Sequence, residues 1–428
     1  MKLIITVFIM LYSLVSVTPP VYAEEPPPVI RGEGAYLIDV MSGQALFMKN
    51  PNTQLAPAST TKIMTALLAI EKGNFSDIVT VSSTMLNNKL VYGTAIYLEP
   101  GEKIGFEDLI YATLLNSAND AAVTLAEHIG GGDIPSFVEM MNQKALDIGA
   151  TQTHFVNPSG LTEEGHVTTA HDLALIARAA YRNPMFAEYV RTKTHPISRS
   201  KENVPILMVN QNELLWKDPS INGIKLGYTQ AAQNCFVASA SKDGRQLIGV
   251  ILKSPGKEIW TDMQAMFNYG FSQYKSTVFK SRGSVISSII VNNEPVDLIL
   301  DDPIYMTQKL NEPQASLNLR VTQDTNPLTS VEKGQVVGHV EILEGETLLN
   351  TLPLKTSRGV EEKSGIDSVG SSHLAWIIGS ILTISFIALM VNSYQRRRRT
   401  RYWRRQVRRS TRRRNLSGNF DSHESRLK

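Results

Sequence analysis

Ser59 and Lys62 stand three residues apart in Ala-Pro-Ala-Ser-Thr-Thr-Lys-Ile-Met-Thr-Ala-Leu, residues 56–67. Apolar residues then recur at helical spacing, at Ile63, Met64, Leu67, Leu68 and Ile70, and Gly73 closes the run. On a helix, positions i and i+3 share a face, so this hydroxyl and this amine can meet. A serine needs a neighbouring base to become a nucleophile. A lysine serves as that base only when burial or nearby positive charge lowers its pKa. The free N–H groups of a helix start also favour the negative charge that develops during acyl transfer. Ser-x-x-Lys alone is a weak signal, and the plain alternative is an N-cap serine beside a solvated lysine.

Two further polar clusters change that balance. Ser117-x-Asn119 interrupts two helical runs, and Lys225-x-Gly227 lies in a strand-like segment that continues through Tyr228 and Thr229. Ser117 can relay a proton to a leaving amine. Asn119 can hydrogen-bond a substrate backbone and Lys62. Lys225 supplies positive charge for a carboxylate. Backbone N–H groups at Ser59 and on the Lys225 strand can stabilise an oxyanion. Each cluster has its own ordinary reading as a cap, a loop residue or a snorkelling lysine. Their joint order and context favour serine acyl transfer.

The elements that must hold these residues follow from patterning. Ala35–Val40 and Gln44–Met48 read as a hairpin around Met41-Ser42-Gly43. Helical runs cover Phe106–Leu115, Ala121–Ile129, Ile134–Leu146 and Ala170–Tyr181, with a Gly-, Pro- and Thr-rich loop over 155–169. Ile224–Thr229, Cys235–Ala240 and Leu247–Leu252 read as an antiparallel meander, and Glu258–Tyr269 as a closing helix. This implies one α/β domain over 35–275, with an antiparallel sheet that joins the two ends of the segment and is covered by helices. From 278 to 356, short β-branched runs alternate with turns, as in a small all-β domain. Thr356–Ser372 is a polar linker.

Composition places this architecture in a cell. Of the 428 residues only Cys235 is a cysteine, so no intrachain disulfide and no cysteine-based metal or redox site can form. Residues 1–23 read as a signal peptide, with Lys2, an apolar run and Val21-Tyr22-Ala23 before cleavage. Residues 24–34 form a proline-rich linker. Residues 374–394 are long and apolar enough for one transmembrane helix. Beyond it, 14 Lys or Arg between Arg396 and Lys428 face only Asp421 and Glu424. The formal net charge of +3 therefore averages a strongly basic tail, 395–428, with an acidic remainder. The positive-inside rule places the tail in the cytoplasm and the folded part outside. Such an arginine block is a stop-transfer and lipid anchor rather than a nucleic-acid site.

The segments Leu55–Thr65 and Leu115–Ala122 closely resemble the D-alanyl-D-alanine carboxypeptidases of the low-molecular-mass penicillin-binding protein 5 type. Asn157-Pro158-Ser159-Gly160-Leu161 and Thr168–Ala174 are similar to that family's loop and following helix. The resemblance implies the transpeptidase fold shared with β-lactamases over residues 30–275 and the family's C-terminal β-domain over 278–356. It implies Ser59, Lys62 and Ser117 as catalytic residues, and Asn119, Lys225, Gly227, Tyr228 and Thr229 as substrate-binding ones. The implied substrate is a peptidoglycan stem peptide ending in D-Ala-D-Ala, with β-lactams as covalent inhibitors and no metal or organic cofactor. His171 starts a helix with no second histidine at zinc spacing, and near His166 a glutamate, Glu163 or Glu164, could mimic the deacylating base of a class A β-lactamase, although both read as solvated residues of a polar turn. One departure stands in the third cluster, where Leu226 replaces the family's threonine. Loss of one hydrogen bond to a charged group costs about 1.5–3 kcal/mol. A weakened penicillin-binding wall protein is thus the alternative reading, and a β-lactamase a more remote one.

Overall fold

The computed structural model describes residues 25–313, 316–323, 328–362 and 371–414. The expected signal peptide, part of the expected linker over 357–373 and the end of the basic tail lie outside these residues. The described residues fall into two compact units. One lies within Met1–Ile290, Pro295–Asn326 and Glu332–Gly359, the other within Val291–Glu294, Pro327–Val331 and Val360–Lys428.

In the first unit, β1 (Gly34–Asp39), β2 (Ala45–Lys49), β3 (Ile221–Thr229), β4 (Gln233–Lys242) and β5 (Arg245–Ser254) form one antiparallel sheet. Its spatial order is β2-β1-β5-β4-β3, so the late meander joins the early hairpin and β3 forms an edge. Alternate residues of β1 feed two different cores. Tyr36 and Ile38 face one apolar cluster, and Ala35 and Leu37 face the other. Burial on both faces explains why β1 is wholly apolar apart from its ends.

On the first face pack α1 (Lys62–Lys72), α2 (Phe106–Leu114), α3 (Asn119–Ile129), α4 (Ile134–Ile148) and α5 (Ala170–Tyr181). Helix α1 contacts the other four, and every residue from Lys62 to Ile70 is buried. A helix apolar all round belongs in a core. The Ser59–Lys62 segment is therefore anchored to the most enclosed helix of the unit. On the second face, α6 (Ile259–Gln273) buries Ile259, Met263, Met266 and Phe267.

Several sequence expectations change here. Ser59 lies in a 3-10 turn, Ala58–Thr61, and the α-helix begins only at Lys62. Asn119 is the first residue of α3 rather than part of the polar break before it. Pro184–Arg191 is a helix that periodicity alone does not reveal, capped by the Asn183 side chain. Beyond α6, Tyr274–Lys280 pairs with Ile304–Lys309. Five further strands, Val285–Val291, Glu294–Leu300, Leu317–Gln323, Val336–Glu344 and Thr347–Thr356, form a second sheet.

In the other unit, Ser371–Arg414 is a single helix. Its segment Ala375–Arg399 is long and apolar enough to cross a membrane. The helix does not stop at the end of the apolar run. Arginine is a good helix former and no Gly or Pro interrupts the basic stretch.

Candidate active site

The geometry starts at a strained turn. Ala58 holds φ +49 and Ser117 holds φ +61, both left-handed conformations that L-residues avoid. Such strain persists only where surrounding structure over-determines it, and it clusters at functional sites. Ser59 follows Ala58 directly and is half-buried.

Lys62 is fully buried, and its Nζ has three partners. It lies 3.0 Å from Ser59 Oγ, 2.7 Å from Asn119 Oδ1 and 2.7 Å from the Ser159 carbonyl. The two amide oxygens can only accept. A neutral amine donates to both and keeps its lone pair for the Ser59 hydroxyl. Burial, followed by the positive charge of Lys225, pushes the Lys62 pKa well below its ordinary value. Three oxygen partners would suit an ammonium equally, so it is the electrostatics that favour the neutral amine facing the Ser59 hydroxyl.

Two of the three partners, Asn119 and Ser159, are themselves fixed. Asn119 Nδ2 donates to the Tyr92 carbonyl at 2.5 Å, which sets the amide orientation. Asn119 N–H donates to the Thr94 carbonyl at 2.7 Å. Asp120 accepts from the Leu98 N–H at 2.9 Å and the Ile96 N–H at 3.1 Å. Arg199 Nη1 donates to the Ile96 carbonyl at 2.7 Å while its guanidinium pairs with Glu102. The loop over Tyr92–Leu98 is held from both sides. Ser159 belongs to a turn in which Asn157 Oδ1 accepts from Gly160 N–H at 2.8 Å and Leu161 N–H at 3.1 Å. Thr65 Oγ1 donates to the Pro158 carbonyl at 2.6 Å. Gly160 holds φ +85, and a Cβ there would lie 1.9 Å from the Ala58 carbonyl oxygen.

His166 braces the same loop. Its Nδ1 accepts from Val156 N–H at 3.0 Å. The proton therefore sits on Nε2, which donates to Thr61 Oγ1 at 2.9 Å. Burial, with His154 and Lys62 adding to it, lowers the His166 pKa to about 4. The ring is neutral at physiological pH.

Strand β3 closes the other side. Lys225 is buried, and burial lowers its pKa to about 7. Its Nζ donates to the Leu226 carbonyl at 3.2 Å. At Gly227 a Cβ would lie 2.6 Å from Ser59 N, so only glycine lets the strand approach the turn so closely. Thr229 Oγ1 accepts from Thr162 Oγ1 at 2.9 Å, and Tyr228 is exposed. Leu226 projects to the opposite face, where it packs against the cluster containing Phe236, its β4 register partner. Ser59, Tyr92, Asn119, Leu161, Tyr228 and Thr229 line a cleft of about 540 Å³.

The predicted residues thus converge in part. Ser59, Lys62 and Asn119 share one hydrogen-bond network, and Lys225 joins it through charge. Gly227 packs on the Ser59 turn, and Tyr228 and Thr229 form the cleft wall. Ser117 is buried on the turn before α3, outside the three bonds of Lys62. Sequence reasoning missed Ser159, Asp120, the Arg199–Glu102 pair and the His166–Thr61 brace. Among the described residues no group of His, Cys, Asp and Glu is arranged to hold a metal.

Residues 21–256 match the family described as D-alanyl-D-alanine carboxypeptidase, and residues 274–362 match the penicillin-binding protein 5 C-terminal domain. The chain is 31% identical over 341 residues to D-alanyl-D-alanine carboxypeptidase DacF of Bacillus subtilis (strain 168), covering 78% of this chain and 86% of that one. Penicillin-binding protein 5 from Haemophilus influenzae superposes with a TM-score of 0.61 at 27% identity, covering 79% of this chain and 100% of that one. The Streptomyces K15 DD-transpeptidase superposes with a TM-score of 0.54 at 28% identity, covering 58% of this chain and 100% of that one.

Proposed function

Because this chain belongs to the D-alanyl-D-alanine carboxypeptidase family of peptidases, we propose that it trims the terminal D-Ala from peptidoglycan stem pentapeptides through an acyl-enzyme on Ser59. The observation that carries this reading is the buried Lys62 amine, bonded to two pure acceptors and to Ser59 Oγ. Lys62 takes the hydroxyl proton as Ser59 Oγ attacks the carbonyl carbon of the penultimate D-Ala. The N–H of Ser59 and an N–H on the free edge of β3 receive the oxyanion. Lys225 holds the terminal carboxylate, Asn119 the substrate amide, and Ser117 passes a proton to the leaving D-Ala. Gly227, Tyr228 and Thr229 shape the β3 wall along which the peptide lies. Water, activated by Lys62, then hydrolyses the ester. A β-lactam acylates the same oxygen.

The catalytic domain is assigned to 35–275 and the β-domain to 278–356. The weakened-protein alternative gains little, since Leu226 packs on the face of β3 away from Lys225 and Gly227. We place the folded part outside the bacterial membrane, with the apolar helix as a single span in contact with lipid and the arginine tail inside. The test is D-Ala release from a D-Ala-D-Ala pentapeptide by the purified chain. No release above that of Ser59→Ala would overturn the reading.

Two expected results follow from β3. Gly227→Ala places a methyl against Ser59 N and must push the strand or the turn aside. D-Ala release should fall by about 100-fold or more, since small misplacements at a reacting centre cost that much. Labelling by a fluorescent penicillin should fall with it, and the melting temperature should drop by a few degrees, because the clash is with backbone.

Lys225 sets the alkaline limb of the pH profile. It is cationic below its pKa of about 7 and neutral above it, so the carboxylate clamp weakens as pH rises. kcat/KM reports the free enzyme and should decline above about pH 7. A bound carboxylate favours the charged lysine, so the limb of kcat should lie at higher pH. Lys225→Arg keeps its charge throughout and should remove the decline. Steady-state profiles between about pH 5 and 10 decide this.

A further inference from the structure

Ser117 holds its left-handed φ of +61 on the turn between α2 and α3. That conformation is unfavourable for an L-residue and persists only where neighbouring groups hold it. On the far side of the turn, the Ala118 N–H donates to the Ala112 carbonyl at 3.1 Å and the Asn119 N–H to the Thr94 carbonyl at 2.7 Å. On the near side the support comes from a distant part of the chain. Oδ1 of the half-buried Asn116 accepts from the Val209 N–H at 2.7 Å. Gln211 Nε2 donates at 3.1 Å to the Asn116 carbonyl, which belongs to the peptide plane that turns when the φ of Ser117 changes. Val209 ends a two-stranded ribbon, Thr194–Pro196 paired with Leu207–Val209. The ribbon is pinned to α2. The His195 ring stacks on Tyr111 with centroids 3.5 Å apart, and the Ser198 N–H donates to Asp108 Oδ2 at 3.0 Å. Just beyond Val209, Asn210 Nδ2 donates to the Val190 and Thr192 carbonyls, each at 3.1 Å. The Val209 N–H therefore reaches Asn116 from a fixed frame.

We propose that Asn116 is a positioning residue for Ser117, its bond to the Val209 N–H holding the strained turn that keeps the Ser117 hydroxyl in place to protonate the leaving amine. This rests on the reading of Ser59 as the nucleophile and of Ser117 as the proton relay. In acylation the Ser59 Oγ–carbon bond forms and the carbon–nitrogen bond breaks. The nitrogen leaves as an amine only when it gains a proton, so amide cleavage depends on a correctly placed donor. A thioester differs at this one point. Its carbon–sulfur bond breaks with the electron pair on sulfur, and the thiolate leaves without a proton. Loss of the Asn116 bond frees the near side of the turn, and Ser117 relaxes toward an ordinary backbone conformation. Cleavage of the amide then suffers far more than cleavage of the thioester.

The test compares kcat/KM of the full chain for two substrates. One is an acetylated tripeptide ending in D-Ala-D-Ala, and the other is its thioester analogue, in which a mercapto acid replaces the last D-Ala. Both keep the terminal carboxylate, so an effect on its binding cancels in their ratio. Asn116→Ala should lower cleavage of the amide on the order of 30-fold and that of the thioester by less than about threefold. Asn116→Asp retains an oxygen for the Val209 N–H and should keep the wild-type ratio, whatever its charge does to both rates. In a chain already carrying Ser117→Ala, adding Asn116→Ala should cost less than about twofold more, because the two act through one hydroxyl. Should Asn116→Ala fail to fold, Gln211→Ala at an exposed position removes the bond on the Asn116 carbonyl and should shift the ratio in the same direction. An equal fall for both substrates, or no fall for either, overturns the positioning role. So does an Asn116→Asp ratio like that of Asn116→Ala, or a full additional loss in the Ser117→Ala background. A wild-type chain that cleaves neither substrate overturns the reading of Ser59 and this proposal with it. A wild-type chain that cleaves both, with an unchanged ratio in the variants, overturns the role of Asn116 alone.

Discussion

Ser59→Ala should lose D-Ala release by about 10⁴-fold or more while still binding the pentapeptide. The substitution removes only the oxygen proposed to attack. The Ser59 N–H, the β3 edge, Asn119 and Lys225 keep their places, so substrate affinity should change by less than about tenfold. A loss of this size corresponds to about 5–6 kcal/mol of barrier. That exceeds what any single positioning contact in the cleft supplies, since an ordinary hydrogen bond is worth about 0.5–1.5 kcal/mol. The result also separates nucleophilic from purely electrostatic catalysis. Covalent labelling by a fluorescent penicillin should vanish entirely, with no residual band on the gel. If Ser59→Ala keeps slow release and also keeps the label, the nucleophile lies elsewhere. Folding should be nearly unaffected, because Ser59 is half-buried and its one side-chain bond is to Lys62.

Much of this site is legible in the sequence because side-chain chemistry leaves a spacing. Ser59 and Lys62 read as a pair from their i, i+3 interval, whereas the close approach of Gly227 to Ser59 N emerges only from the structure. Strand alternation, also visible in the sequence, puts Lys225 and Gly227 on one face and Leu226 on the other. The family's hydroxyl at that position drew the expectation of lost contact. The packing of Leu226 with the Phe236 cluster sets a different role for it. What stays illegible is mostly backbone. The Ser159 carbonyl on Lys62 spans 97 residues and carries no residue-type signature. The same holds for the Asp120 bonds to Ile96 and Leu98 N–H, which look from the sequence like an ordinary first-turn acid. His166 invites a metal or acid-base reading, yet its two ring nitrogens are both spent on bracing. For the fold, early strands, a helical middle and a late meander already imply a sheet that joins the two ends of the domain, and the β1–β5 pairing does so between residues over 200 apart. The Pro184–Arg191 helix did have a local signal, Asn183 followed by proline at the first helical position.

Lys62→Met should be nearly as damaging as Ser59→Ala, and the combination should be no worse than the serine change alone. Methionine matches the lysine stem in length and fills the same space in α1, so the helix keeps its packing. What disappears is the proposed base. Without it the Ser59 hydroxyl keeps its proton at neutral pH, and both acylation and ester hydrolysis slow. We expect D-Ala release to fall by about 10³-fold or more. Penicillin labelling should become slow but not absent, since the hydroxyl remains and the β-lactam ring is reactive. Stability is the decisive second readout. Removing the amine leaves Asn119 Oδ1 and the Ser159 carbonyl without their donor, which costs about 1–3 kcal/mol each. Against this, a buried amine next to Lys225 is itself unfavourable, as its lowered pKa records. Replacing buried ionisable groups by apolar ones of similar volume is often neutral or stabilising. The two effects oppose each other, so the melting temperature should move by only a few degrees in either direction. A protein that keeps its fold and loses its rate identifies Lys62 as the base. A protein that unfolds at room temperature would instead make Lys62 a structural strut. Because the two side chains act as one unit, their losses cannot add. A double variant slower than Ser59→Ala by another factor of about 10³ would show that Lys62 acts on something other than the Ser59 hydroxyl.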